Sequence, residues 1–73
     1  LGISSAKARG FSLMGHALFS RGKYEEAKRF FENALAADPG RGISYFLLAR
    51  TAEALGDTET FRKAMLLGRM HGV

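Results

Sequence analysis

Apolar residues recur along this chain at the three-and-four spacing that lines one face of a helix. Phe11, Met14, Gly15 and Leu18 stand at i, i+3, i+4 and i+7, and Tyr45, Leu48, Ala49 and Ala52 repeat the series. Between them, Tyr24, Ala27, Phe31 and Ala34 make a second stripe of the same kind. The pattern predicts four helices, over about Ser5–Arg21, Tyr24–Ala37, Gly42–Leu55 and Thr58–Met70. The last differs from the rest. At about 100° per residue, Phe61, Ala64, Met65 and Gly68 share one face, while Leu66, Leu67 and Met70 cluster on the opposite one. A helix apolar on both sides needs cover on both, so Leu66, Leu67 and Met70 are expected to contact a second copy, a neighbouring repeat or another protein. The plainer alternative ends the helix near Gly68 and folds the remainder back.

The punctuation between stripes agrees with four helices. Ser4 or Ser5 can accept a hydrogen bond from a free amide at the first start, and Asp57 can do the same at the fourth. Gly22 and Gly56 sit where a helix ends and the chain reverses, positions suited to positive φ. Glu25 and Glu26 complement the helix dipole in a first turn, and Asp38-Pro39-Gly40 stops the second helix. Glu25 and Glu32 lie three or four residues from Lys28 and Arg29, spacings expected to give surface ion pairs of a few tenths of a kcal/mol. Gly10, inside the first helix, costs about 1 kcal/mol relative to alanine. It marks either close helix contact or fraying. Short connections make neighbouring helices antiparallel.

A shift of 34 residues brings the chain onto itself. Leu13 falls on Leu47, Gly22 on Gly56 and Glu25 on Glu59, and size class is kept at Phe11/Tyr45, Met14/Leu48, Gly15/Ala49, Phe31/Met65 and Ala34/Gly68. A period of this length belongs to stacked helical hairpins. The expected fold is therefore all-α: about two antiparallel helix–turn–helix repeats in a short solenoid. They form one domain over 1–73, with the first repeat at about 8–41 and the second at about 42–73.

Phe11, Met14-Gly15, Leu18, Ala27, Phe31, Ala34 and Pro39 follow in the order of a known motif, and the first repeat resembles the tetratricopeptide repeat. The runs Gly22-Lys23-Tyr24-Glu25-Glu26-Ala27 and Ala34-Leu35-Ala36-Ala37-Asp38-Pro39 look especially typical of that family. The second repeat departs from it. Phe61 occupies the place of a small alanine and no proline closes the unit, so this repeat reads as degenerate or terminal, its helices pushed apart or shifted in register. The resemblance implies protein or peptide binding in a concave groove lined by the first helix of each pair. Carried onto this chain, the groove positions are Arg9, Ser12, His16, Phe19 and Ser20, then Ile43, Phe46, Arg50, Glu53 and Ala54. The best-known groove of the family grips a C-terminal carboxylate with Lys and Asn, where this chain has Ser12 and His16. An acidic or C-terminal peptide would here meet Arg9, His16 and Arg50, with Phe19, Ile43 and Phe46 supplying apolar contact.

Composition narrows the remaining possibilities. Seventy-three residues without cysteine and with two histidines exclude a disulfide staple and argue against structural zinc. No metal and no cofactor are expected. Neither a phosphate-cradling glycine loop nor a Ser-His-Asp set is present, and Glu53 with Asp57 forms only a pair of acids at a helix end, so the chain is not expected to be an enzyme. The net charge of +4 favours acidic partners. The eleven basic residues are too dispersed for a nucleic-acid tract, which makes nucleic-acid binding the weakest reading. No apolar run reaches the roughly 18 residues of a membrane span. The start, Leu1-Gly2-Ile3, carries neither a signal pattern nor an initiator methionine, as in a fragment or a processed chain, and the cytoplasm is the expected compartment. The expected function is a protein-interaction module (scaffold, adaptor or chaperone), with homo-oligomerisation through the last helix as the alternative.

Overall fold

In the computed structural model, which describes residues 2–72, the four stripes become four helices: α1 (Gly2–Ser20), α2 (Tyr24–Ala37), α3 (Gly42–Leu55) and α4 (Thr58–Gly72). There is no strand among the described residues. Each helix packs on the next, and α1 also touches α3. The apolar stripes meet in one core of Ala27, Phe31, Leu48, Ala49 and Ala64, against which Leu18, Phe19, Leu35, Leu47, Phe61 and Met65 pack. Phe31 is the largest fully buried side chain, and its burial contributes roughly 1.5–3 kcal/mol.

The two hairpin turns are built alike. Gly22 and Gly56 have φ of 77° and 74°. At the first, the amides of Gly22 and Lys23 donate to the carbonyls of Phe19 and Leu18; at the second, those of Gly56 and Asp57 donate to Glu53 and Ala52. Both are Schellman closures, in which a left-handed residue lets the chain satisfy helix carbonyls left without partners. Asp57 caps α4, its Oδ1 accepting from the Thr60 amide at 3.1 Å. At the repeat junction, the Tyr45 hydroxyl donates to the Pro39 carbonyl at 2.7 Å and fixes the turn against α3.

Several expectations are corrected. The first helix begins at Gly2, ahead of Ser4 and Ser5, so neither serine caps it. Ser5 instead donates to Asp38 at 3.4 Å, and the Ser4 side chain lies outside the described residues. Lys28 does not pair with Glu25 or Glu32. It reaches the carboxylate of Asp57 at 3.0 Å, a bond from the first hairpin to the turn of the second and the single ion pair among the described residues. α4 runs through Gly68 to Gly72, and His71 stacks on Tyr45 at 5.3 Å, so nothing folds back there. Phe61 does not part the last two helices. The close approach moves along α4 to Ala64 and Gly68, where an added Cβ would stand 3.0 Å from the Phe46 ring and 3.2 Å from the Tyr45 Cβ. Gly10 serves no close contact: an added Cβ would meet nothing within 4 Å.

Candidate functional site

The layer of first helices, α1 and α3, carries a shallow groove made of two adjoining hollows. His16, Phe19, Phe31, Leu47 and Arg50 line one; Arg9, Ser12, Leu13, His16, Arg41 and Leu47 line the other. His16 and Leu47 belong to both, so the hollows form a continuous strip. The Phe19 end encloses about 10 Å³, roughly one water's worth of space. The Arg9–Arg41 end opens to about 200 Å³, enough for a side chain.

Local packing explains the shape. Arg50 on α3 lies over the ring of Phe19 on α1, its guanidinium carbon 5.2 Å from the ring centroid. Such a contact contributes about 0.5–1 kcal/mol at an exposed site, and it closes the narrow end. Tyr24 supports Phe19 from behind, edge-on at 5.0 Å. At the open end, Arg41 leads into α3 straight after the Asp38-Pro39-Gly40 turn. Its Nε is buried and has no hydrogen-bond partner among the described residues. No acidic side chain lines either hollow. Three arginines and one histidine therefore face one strip without an internal counter-charge.

The structure brings together Arg9, Ser12, His16, Phe19 and Arg50 of the expected groove positions and separates the rest. Ser12 lines the open hollow from below: it is buried, its hydroxyl 3.5 Å from that of Ser44 in the α1–α3 contact. Phe46 turns to α4 and covers Gly68. Glu53 borders a different depression with Gly56, Asp57, Thr58 and Phe61. Ile43, Ser20 and Ala54 are exposed and line neither hollow. Sequence reasoning missed Arg41 because it sits in the junction, outside the helix positions that the motif assigns to a groove. The signal was its place immediately before the helix that lines the groove.

The one ion pair among the described residues, Lys28 with Asp57, lies elsewhere. Hydrogen bonds from Thr60, from its hydroxyl first and its amide next, and then from Lys28 hold the Asp57 carboxyl well below its usual 3.8, at about 2. The same Asp57 contact pushes Lys28 above its ordinary value. These groups join the two hairpins and lie away from the groove.

The sequence model of the tetratricopeptide repeat matches residues 18–71, most of the chain and the greater part of both hairpins. The chain belongs to the tetratricopeptide repeat family. Neither the curated proteins nor the solved structures compared with it gave a match. Tetratricopeptide repeats are in general non-enzymatic protein–protein interaction modules. No helix among the described residues is long and apolar enough to cross a membrane.

The last helix is partly as expected. Leu66 and Met70 are exposed, at 59% and 67%, whereas Leu67 is half-buried. Thirty-four residues earlier stand Glu32, Asn33 and Ala36, and all three are exposed although a second hairpin follows the first. Extending the stack in the same geometry would therefore leave Leu66 and Met70 uncovered.

Proposed function

We propose that this tetratricopeptide module acts as a scaffold, adaptor or chaperone unit by holding an extended acidic peptide in the α1–α3 groove. Arg9, His16, Arg41 and Arg50 recognise its carboxylates, and Phe19 with Leu47 supplies apolar contact. The observation that carries this reading is the charge of the strip: Arg9, His16, Arg41 and Arg50 line two joined hollows that no acid lines. A peptide carboxylate would supply the missing counter-charge through charge-assisted bonds to the guanidinium groups.

Selection of random dodecapeptides on the whole chain tests the proposal. Enrichment of Asp and Glu beside apolar residues is expected. Arg41→Glu with Arg50→Glu should remove that enrichment or invert it toward Lys and Arg while helicity stays intact. Selection of the same peptides by the parent and the doubly reversed protein would count against the groove. Self-association through Leu66, Leu67 and Met70 is a second reading, favoured by the exposure of Leu66 and Met70. Sedimentation that shows only monomer at high concentration would remove it.

A further inference from the structure

The charges of the groove are unevenly spread, and the spread deepens the reading of an acidic peptide on which the inference rests. His16 belongs to both hollows, but Arg50 is the only arginine at the narrow end, and it is already drawn over the Phe19 ring. At the open end, Arg9 from α1 and Arg41 from the junction border one hollow of about 200 Å³, with His16 on its wall and the buried Ser12 below. Asp38, three residues before Arg41, accepts from Ser5 at 3.4 Å and forms no ion pair among the described residues. Two permanently charged guanidinium groups and a hydroxyl thus border a space for one side chain. A carboxylate brings one charge and two coplanar oxygens, which a single guanidinium fork can take up by itself. A phosphorylated serine or threonine brings a charge of about −1.5 to −2 and three strong acceptor oxygens. That is enough for both forks at once.

The strip also sets a spacing. α1 and α3 run in the same direction, since Arg9 shares a hollow with Arg41 and Phe19 shares one with Arg50. Arg41 and Arg50 are nine residues apart, about 13 Å along a helix that rises 1.5 Å per residue. An extended peptide covers that distance in about four residues at roughly 3.3 Å each, and its side chains alternate, so every second one faces the strip. Leu47 lies between the two arginines, with Phe19 beside the second. We propose that the groove selects a phosphorylated peptide, its phosphoserine or phosphothreonine seated in the Arg9–Arg41 hollow. Two positions along the peptide, in one chain direction or the other, an apolar residue covers Leu47, and four positions along an acid meets Arg50. A nucleic-acid strand does not suit the strip, because it carries a phosphate at every step and would set one over Leu47.

The test uses the whole isotope-labelled protein and a set of short peptides with alanine and glycine spacers, made in both chain orders. The parent peptide carries phosphoserine, leucine and glutamate at alternate positions. Others replace the phosphoserine by glutamate or by serine, or move the glutamate two positions outward. In the order that binds better, affinities taken from amide shifts should rank phosphoserine above glutamate and glutamate above serine. The phosphoserine peptide is expected to bind roughly three- to tenfold more tightly than the glutamate one, the span of one or two further exposed charge pairs. Moving the glutamate outward should weaken binding. Arg9→Gln should erase the preference for phosphate, whereas Arg50→Gln should weaken both peptides alike; both arginines are exposed, so neither result depends on the folding of a disturbed core. Equal affinity for the phosphoserine and glutamate peptides, or a preference that survives Arg9→Gln, would overturn the phosphate site and leave the acidic-peptide groove standing. No binding of any peptide would overturn both. Displacement of the peptide by inorganic phosphate at equal concentration, or tighter binding of a short single-stranded RNA, would overturn the phosphopeptide as the ligand.

Discussion

The same substitution at two glycines of α1 should change stability in opposite directions. At Gly15 an added Cβ would stand 2.7, 2.9 and 3.0 Å from three atoms of the Phe31 ring. That ring is fully buried and planar, so it has little room to yield. Overpacking of a filled core costs about 1–3 kcal/mol, and contacts this short put Gly15→Ala at the upper end. Alanine recovers about 1 kcal/mol of helix propensity, leaving a net loss of about 2 kcal/mol. At Gly10, with nothing within 4 Å, only the propensity gain of about 1 kcal/mol remains. A domain of this size has roughly 3–5 kcal/mol to lose, so Gly15→Ala should leave it close to its unfolding threshold. Urea and thermal unfolding followed by far-ultraviolet circular dichroism would measure both. Each kcal/mol corresponds to about 4–8 °C in Tm for a domain this short, so Gly10→Ala should melt above the parent and Gly15→Ala well below it. Equal stabilities for the two variants would refute the tight α1–α2 contact on which the fold rests.

Asp57→Asn keeps a helix-capping side chain and removes only the charge. Because the folded carboxyl titrates at about 2 and the ordinary group at 3.8, its ionised form contributes stability above about pH 4 that is lost as pH falls toward 2. The stability gap between parent and Asp57→Asn should therefore be constant above pH 4 and close between 4 and 2; a gap unchanged at pH 2 would contradict the assignment. Tyr45→Phe removes the 2.7 Å bond to the Pro39 carbonyl and should cost about 1 kcal/mol. Unaltered unfolding would mean that the junction is held by apolar packing alone.

Local spacing made the fold legible. The stripes at Phe11–Leu18 and Tyr45–Ala52, the left-handed glycines and the capping Asp57 each depend on residues a few positions apart, and the structure follows them except at Met14, which lies exposed. What escaped sequence reasoning depends on pairs far apart in the chain. Lys28 has acids at helical spacing on its own helix, yet its amine bonds Asp57, 29 residues away, because stacking brings that turn within reach. Phe61 suggested that α3 and α4 are either forced apart or shifted in register; they are not forced apart, because Ala64 and Gly68 provide the small surface one and two turns later. The groove was legible at Arg9, His16, Phe19 and Arg50. The family resemblance placed Phe46 there too, whereas its ring is committed to Gly68, a contact set by how the second hairpin closes.

Whether acidic peptides occupy the α1–α3 groove is tested most directly by titrating the isotope-labelled protein with an acidic dodecapeptide taken from the selection. Nitrogen–proton correlation spectra would follow the binding amide by amide. Saturable shifts concentrated at Arg9, His16, Phe19, Arg41, Leu47 and Arg50 are expected, weakening as salt is raised. Shifts centred on Leu66 and Met70, or spread over the chain without saturation, would contradict occupation of the groove.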